Sequence, residues 1–175
     1  MFPFFAKKYS DSERQLFDFL RRNLLFKKLT DKELFYFLPS LHLRTYKADE
    51  VIFFRNDPSQ AIYLIQQGEV KLTVDVQGKF EDLVKLSVHE SFGDDSMLEN
   101  SQRNYHAICT ADNTEIFVIP QINILDIFHV NTEIKAKMLQ ALTQHHSKYI
   151  AAVFKVYRES LGFFELRQTY HIAHL

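Results

Sequence analysis

Apolar residues recur at two different periods along the chain, and the switches between them mark its parts. In SDSERQLFDFLRRNLLFKKL, Leu16, Phe17, Leu20 and Leu24 fall at helical spacing, and Ser10 or Asp11 can cap the start. Thr30 opens a second short helix, TDKELFYFL, with Glu33 three residues on as a capping box, and Pro39 ends it. The period then falls to two. Residues 51–54 and 61–65 are strand candidates. Val70, Leu72, Val74 and Val76 alternate strictly with Glu69, Lys71, Thr73 and Asp75, which predicts one buried and one wet face. Gln77-Gly78-Lys79 is a turn, residues 83–88 return as a partner strand, and 105–111 and 115–119 add two more. Pro120 stops the sheet and starts a helix over 121–130. Asn131-Thr132-Glu133 caps a long helix to about residue 159, Gly162 breaks it, and the amphipathic tail FFELRQTYHIAHL follows. Short strands separated by turn signals predict an antiparallel sandwich or barrel between flanking helices.

Composition narrows the function. Hydrophobic residues make up 46% and charged residues 25% of the 175, with a net charge of −1. No Lys/Arg run forms a nucleic-acid stripe. One cysteine, Cys109, excludes an internal disulfide or a Cys-rich metal site, and its apolar neighbours predict a buried thiol. The start MFPFFAKKYS does not have the form of a signal peptide, and no apolar run reaches membrane-spanning length, so a reducing cytoplasm is expected.

The chemistry concentrates in FGDDSMLENSQRNYHA, residues 92–107. Phe-Gly reads as a bend, Asp94 and Asp95 follow at once, and Arg103 comes just before a new apolar run. A guanidinium between apolar elements needs an anion. Asp94 or Asp95 could supply it internally, closing the loop by its own salt bridge. Alternatively, backbone N–H groups after the bend, the Arg103 charge and a carboxylate at the mouth form a cradle for a phosphate beside a sugar hydroxyl. Composition does not choose between the two.

The chain resembles the cyclic nucleotide-binding domain family over residues 26–157. The resemblance rests on FKKLTDKELFYFLPSLHLRTYKADEVIF as leading helix and first strand, on RNDPSQAIYLIQQGEVKL, on the loop as a phosphate-binding cassette, and on VNTEI between the last two helices. It implies an α+β, mainly β fold: an antiparallel β-roll (a double-stranded jelly-roll barrel) flanked by N-terminal helices and a long C-terminal helix. The segments divide as 1–29 (helical), 30–119 (the roll) and 120–175 (hinge or dimer helix and tail). The implied ligand is cAMP or cGMP, without a metal. Arg103 would hold the cyclic phosphate, the backbone N–H groups of Ser96 and Asn104 would add hydrogen bonds, Gly93 would allow the close turn, and Asp94 would take the ribose 2′-hydroxyl. The chain departs from the family's pattern in Asp94 for Glu, Asp95 for an apolar residue, Asn56 and His89 for Gly, and the bulky Tyr105 and His106 after the arginine.

The long helix carries the other expectations. Met138, Leu142, His145, Tyr149, Ala152 and Val156 step as a coiled-coil seam, with Ile150, Val153 and Tyr157 beside it. The resemblance implies a homodimer through this helix, and Tyr149 and His145 as contacts to the base. The segment after Gly162 is too short for a helix-turn-helix, so direct DNA binding is not expected. Eight histidines offer no His-x-His pair. His145 and His146 are adjacent and should point to different sides of a helix, while His171 and His174 lie in the tail. No nucleophile elbow is present. The expectation is a regulatory sensor acting on an unidentified effector protein, not an enzyme. The competing expectation is an altered pocket that makes the same scaffold a protein-interaction module.

Overall fold

The computed structural model describes residues 8–159; the expectations on Gly162 and the tail, including His171 and His174, lie outside them. The described chain falls into two compact units with their boundary after Leu139. In the first, helix α1 (Asp11–Arg22) is capped by Ser10, the first of the two expected candidates, and Glu13 completes a capping box that was not anticipated: Glu13 N–H donates to Ser10 Oγ, and Ser10 N–H donates to the Glu13 carboxylate at 2.6 Å. Phe17 and Leu20 form its buried face. The helix stops at Arg22, before the end of its apolar pattern, and Leu25 and Phe26 are buried from the turns that follow. Helix α2 (Asp31–Leu34) has the predicted capping box, Thr30 with Glu33, but is a single turn. Pro39 falls in the separate 3₁₀ turn Leu38–Ser40.

Eight strands form two four-stranded antiparallel sheets. One sheet has the order β1 (His42–Tyr46), β8 (Thr114–Pro120), β3 (Ala61–Gln67), β6 (Ser91–Phe92); the other runs β2 (Val51–Phe53), β7 (His106–Cys109), β4 (Val70–Val76), β5 (Lys79–Leu86). Between them lies a core that includes Phe53, Ile65, Val70, Leu72, Phe92, Ala107, Cys109 and Ile116. This is the expected mainly β, α+β roll. The buried Cys109 follows the expectation. Its thiol is pushed up to about 11 by burial, with the Glu50 carboxylate adding to the shift.

The strict alternation predicted for β4 fails at its far end. Thr73 is fully buried and Val76 is 40% exposed. The register against β5 slips between Leu72 and Thr73, where Leu72 faces Val84 but Thr73 faces Asp82. The extra residue, Leu83, lies on β5, so β4 keeps its alternation of direction and Thr73 is buried on the face opposite Leu72. Beyond it the hairpin closes on Gln77 and Gly78, both at positive φ (53° and 78°), as a two-residue turn of primed type.

Helix α3 (Gln121–Val130) follows Pro120 as expected, and α4 (Thr132–Glu159) begins after Asn131, whose Oδ1 accepts from Ile134 N–H. Ile134 and Met138 are buried within the first unit. In the second unit, His145, Tyr149, Ala152 and Val156 of the predicted seam are exposed. The rings of His145 and His146 lie 6.2 Å apart.

Candidate functional site

The site is the connection from β6 to β7. Gly93 ends β6 at φ +74°, a conformation that favours glycine. The 3₁₀ turn Asp94–Met97 follows, with Ser96 Oγ and Ser96 N–H both donating to the Gly93 carbonyl at 2.8 and 3.1 Å. Ser101 Oγ donates to the Asp95 and Leu98 carbonyls. Gln121, at the start of α3, donates from Nε2 to the Ser96 and Leu98 carbonyls at 3.1 and 2.9 Å. On the other side the loop joins the turn after β2: Arg103 N–H donates to Asp57 O, Asn56 N–H to Arg103 O, and Ser59 N–H to Ser101 O. Asn56 takes the left-handed backbone, φ +70°, that a glycine would otherwise supply.

These anchors turn Arg103 inward, leaving it 2% exposed. Its Nη1 donates to Asp95 Oδ1 at 2.7 Å and to Gly93 O at 3.0 Å, and its Nη2 donates to Ala61 O at 2.7 Å. The guanidinium carbon lies 4.2 Å from the centroid of the Phe53 ring and 5.6 Å from that of Tyr63, which itself stacks on Phe92. A Cβ on Gly93 would meet Arg103 Nη1 at 2.6 Å and Ala61 O at 2.8 Å, so glycine is required by space as well as by φ. The Gly93 N–H donates to the Tyr105 hydroxyl at 3.0 Å.

The electrostatics are uneven. Burial holds the Asp95 carboxyl above its ordinary value, although the adjacent Arg103 guanidinium pulls the other way and Asp94 adds to the rise. Burial likewise raises the Tyr63 and Tyr105 phenols. Asp95 Oδ2, Arg103 Nε and Ser59 Oγ are buried atoms without a hydrogen bond of normal geometry.

Of the residues singled out from sequence, Gly93, Asp94, Ser96 and Arg103 share this one loop, with Asn104 exposed at its end. The Ser96 N–H expected to face a ligand is donated to Gly93 O in this structure. His145 and Tyr149 belong to the second unit. Sequence reasoning missed Tyr105 as a partner of Gly93, Gln121 as the brace, and Phe53 with Ala61 O as the seat of the guanidinium. The bulk of Tyr105 beside the arginine was the one available signal.

Comparison with known proteins identifies the family. Residues 43–131 match the model of the cyclic nucleotide-binding domain. The chain is 31% identical over 96 residues to the cyclic AMP receptor protein of Thermus thermophilus, covering 54% of this chain and 44% of that one, so it spans less than half of that relative. In fold it is similar to the N-terminal domain of a transcriptional regulator from Streptomyces coelicolor (TM-score 0.67, 23% identity, 78% of this chain and 95% of that one). It is also similar to the regulatory domain of Toxoplasma gondii PKA with cAMP (TM-score 0.62, 19% identity, 69% and 46%). The match to the family model covers half of the sequence, and the chain belongs to the cyclic nucleotide-binding domain family.

Proposed function

We propose that this protein is a regulatory module that binds cAMP or cGMP in the roll, with Arg103 as the phosphate ligand. The carrying observation is Arg103 itself: a 2% exposed guanidinium, seated on Phe53, between the Gly93 turn and the Ala61 carbonyl. A cation placed at such cost to its solvation suits a site that exchanges anions. Asp94, partly exposed in the first turn of the loop, would take a ribose hydroxyl. Asn104 and Ser96 would offer N–H groups to the phosphate once the loop tightens, which for Ser96 requires release from Gly93 O. Tyr149 and His145 on α4 would cover the base.

The output would be carried by α4, a single helix of 28 residues that belongs to both compact units. A ligand moves it only by preferring one of its positions over another. Its exposed apolar residues, Tyr149 and Val156 at 64% and 62% among them, would serve a second copy of the chain or an effector protein. The role is binding and signalling, without direct DNA contact. Among the described residues no helix is long and apolar enough to cross a membrane, in keeping with a cytoplasmic site of action.

A second reading has an observation in its favour. The Arg103–Asp95 ion pair at 2.7 Å already gives the cation a partner, as a protein-interaction module on the same scaffold would require. Isothermal titration with cAMP and then cGMP, repeated on Arg103→Ala, separates the two. Saturable heat that Arg103→Ala removes supports the nucleotide. No heat with either nucleotide, from a cooperatively folded chain and from its folded Asp95 variants alike, refutes it.

A further inference from the structure

The cradle already contains an anion. The loop 93–104 carries three carboxylates, Asp94, Asp95 and Glu99, against the single cation Arg103. One of the three reaches that cation: Asp95 Oδ1 lies 2.7 Å from Arg103 Nη1. The pair is incomplete. A guanidinium and a carboxylate bind most strongly side by side, two N–H groups to two oxygens. Here the second arm of the fork, Nη2, goes to Ala61 O instead, and the buried Asp95 Oδ2 has Ser59 as its polar neighbour but no hydrogen bond of normal geometry. Arg103 Nε is a buried donor without an acceptor in the same place. Arg103 therefore keeps unused donor capacity that a tetrahedral anion with several oxygens could meet. The carboxylate also has a way out, since the Asp95 side chain is 18% exposed against 2% for Arg103.

We propose that Asp95 is a resident counter-anion that holds Arg103 in place of the ligand's phosphate, so that the residue at position 95 sets how strongly the cradle takes a cyclic phosphodiester. This rests on the nucleotide reading above. Binding is then an exchange: the phosphodiester takes the Arg103 N–H groups, and the Asp95 carboxylate turns toward water. Both anions carry a full charge, so the exchange starts from near balance. The displaced carboxylate stays within a few bonds of Asp94 and beside the incoming phosphate, which opposes binding. That burial raises the Asp95 carboxyl in spite of Arg103 agrees with a counter-ion weakly held. A neutral residue of similar size would remove the competitor and the repulsion together, leaving Arg103 its bonds to Gly93 O and Ala61 O.

The test is isothermal titration of the full chain with cAMP and with cGMP, in the wild type, Asp95→Asn and Asp95→Leu. Asparagine preserves an acceptor for Arg103, and leucine preserves an apolar packing surface, so one variant can report if the other does not fold. The expected result is a Kd lower by about ten-fold or more in either folded variant, the size of one lost charged competitor. An unchanged or higher Kd in a variant that melts cooperatively overturns the role of Asp95 and leaves the nucleotide reading standing. Binding by none of the three folded proteins overturns both.

Discussion

Gly93→Ala probes the cradle without altering any charge. Two costs arise at this position. The backbone sits at φ +74°, where a side chain adds about 1–2 kcal/mol over glycine. The new methyl would also lie 2.6 Å from Arg103 Nη1 and 2.8 Å from Ala61 O. Ala61 O cannot yield, because it belongs to β3, which is paired on both sides. Arg103 must retreat, and it is confined by Phe53 at 4.2 Å. Losing one of its charged hydrogen bonds costs about 1.5–3 kcal/mol. The two costs together come to about 3–5 kcal/mol, and at 2–4 °C per kcal/mol for a chain of this size the melting temperature should fall by about 6–20 °C. Gly78→Ala is the matched control. It has nearly the same φ, +78°, and nothing within 4 Å of the added Cβ, so only the backbone cost applies, about 1–2 kcal/mol. Thermal and urea melts of both variants, followed by circular dichroism, measure the difference. Equal destabilisation of the two would refute the close approach of Arg103 to the Gly93 turn.

The remaining predictions concern the frame. Tyr105→Phe removes the acceptor of the Gly93 N–H and should lower stability by about 1–3 kcal/mol, read from urea midpoints at constant m value. Glu33 is buried, and burial alone would raise its carboxyl, but hydrogen bonds from Lys137 and Thr30 together with the Lys137 charge bring it below the ordinary value of 4.5. A lowered carboxylate contributes stability above its unfolded-state pKa and loses that contribution as the pH falls through the folded value. Acid titration of stability below pH 4.5 should therefore be shallower in Glu33→Gln than in the wild type; superimposable curves would exclude Glu33 as a source of the acid sensitivity. Cys109 is fully buried with its thiol pushed up to about 11, so iodoacetamide at neutral pH should label it only in denaturant. Labelling of the folded chain at the denatured rate would contradict its place in the core.

What could be read ahead of the structure follows from how local each cause is. The Thr30–Glu33 capping box and the cap at Ser10 were legible because every atom involved lies within three residues. The turn at Gln77-Gly78 was legible because its residue types impose its geometry. The two-residue strand β6 was not, since pairing with β3 defines it and no pattern can accumulate over Ser91-Phe92. Strand β1 was passed over although its five residues alternate weakly; it is mostly exposed, and its pairing with β8 spans the whole roll. Thr73 departed from the predicted wet face because burial of that face depends on what packs over it, which the alternation of one strand does not show. At the site, Arg103 and the loop stood out as a cation facing carboxylates, yet Asp94 and Asp95 were equivalent as partners in one dimension. The 3₁₀ turn after Gly93 and the Gln121 brace resolve them, placing the Asp95 carboxylate on the guanidinium. The ligand question thus depends on a pairing that only the folded loop decides. A carboxylate on Arg103 at 2.7 Å leaves the cradle with its charge already met, and the proposed exchange at position 95 would have to reverse that pairing.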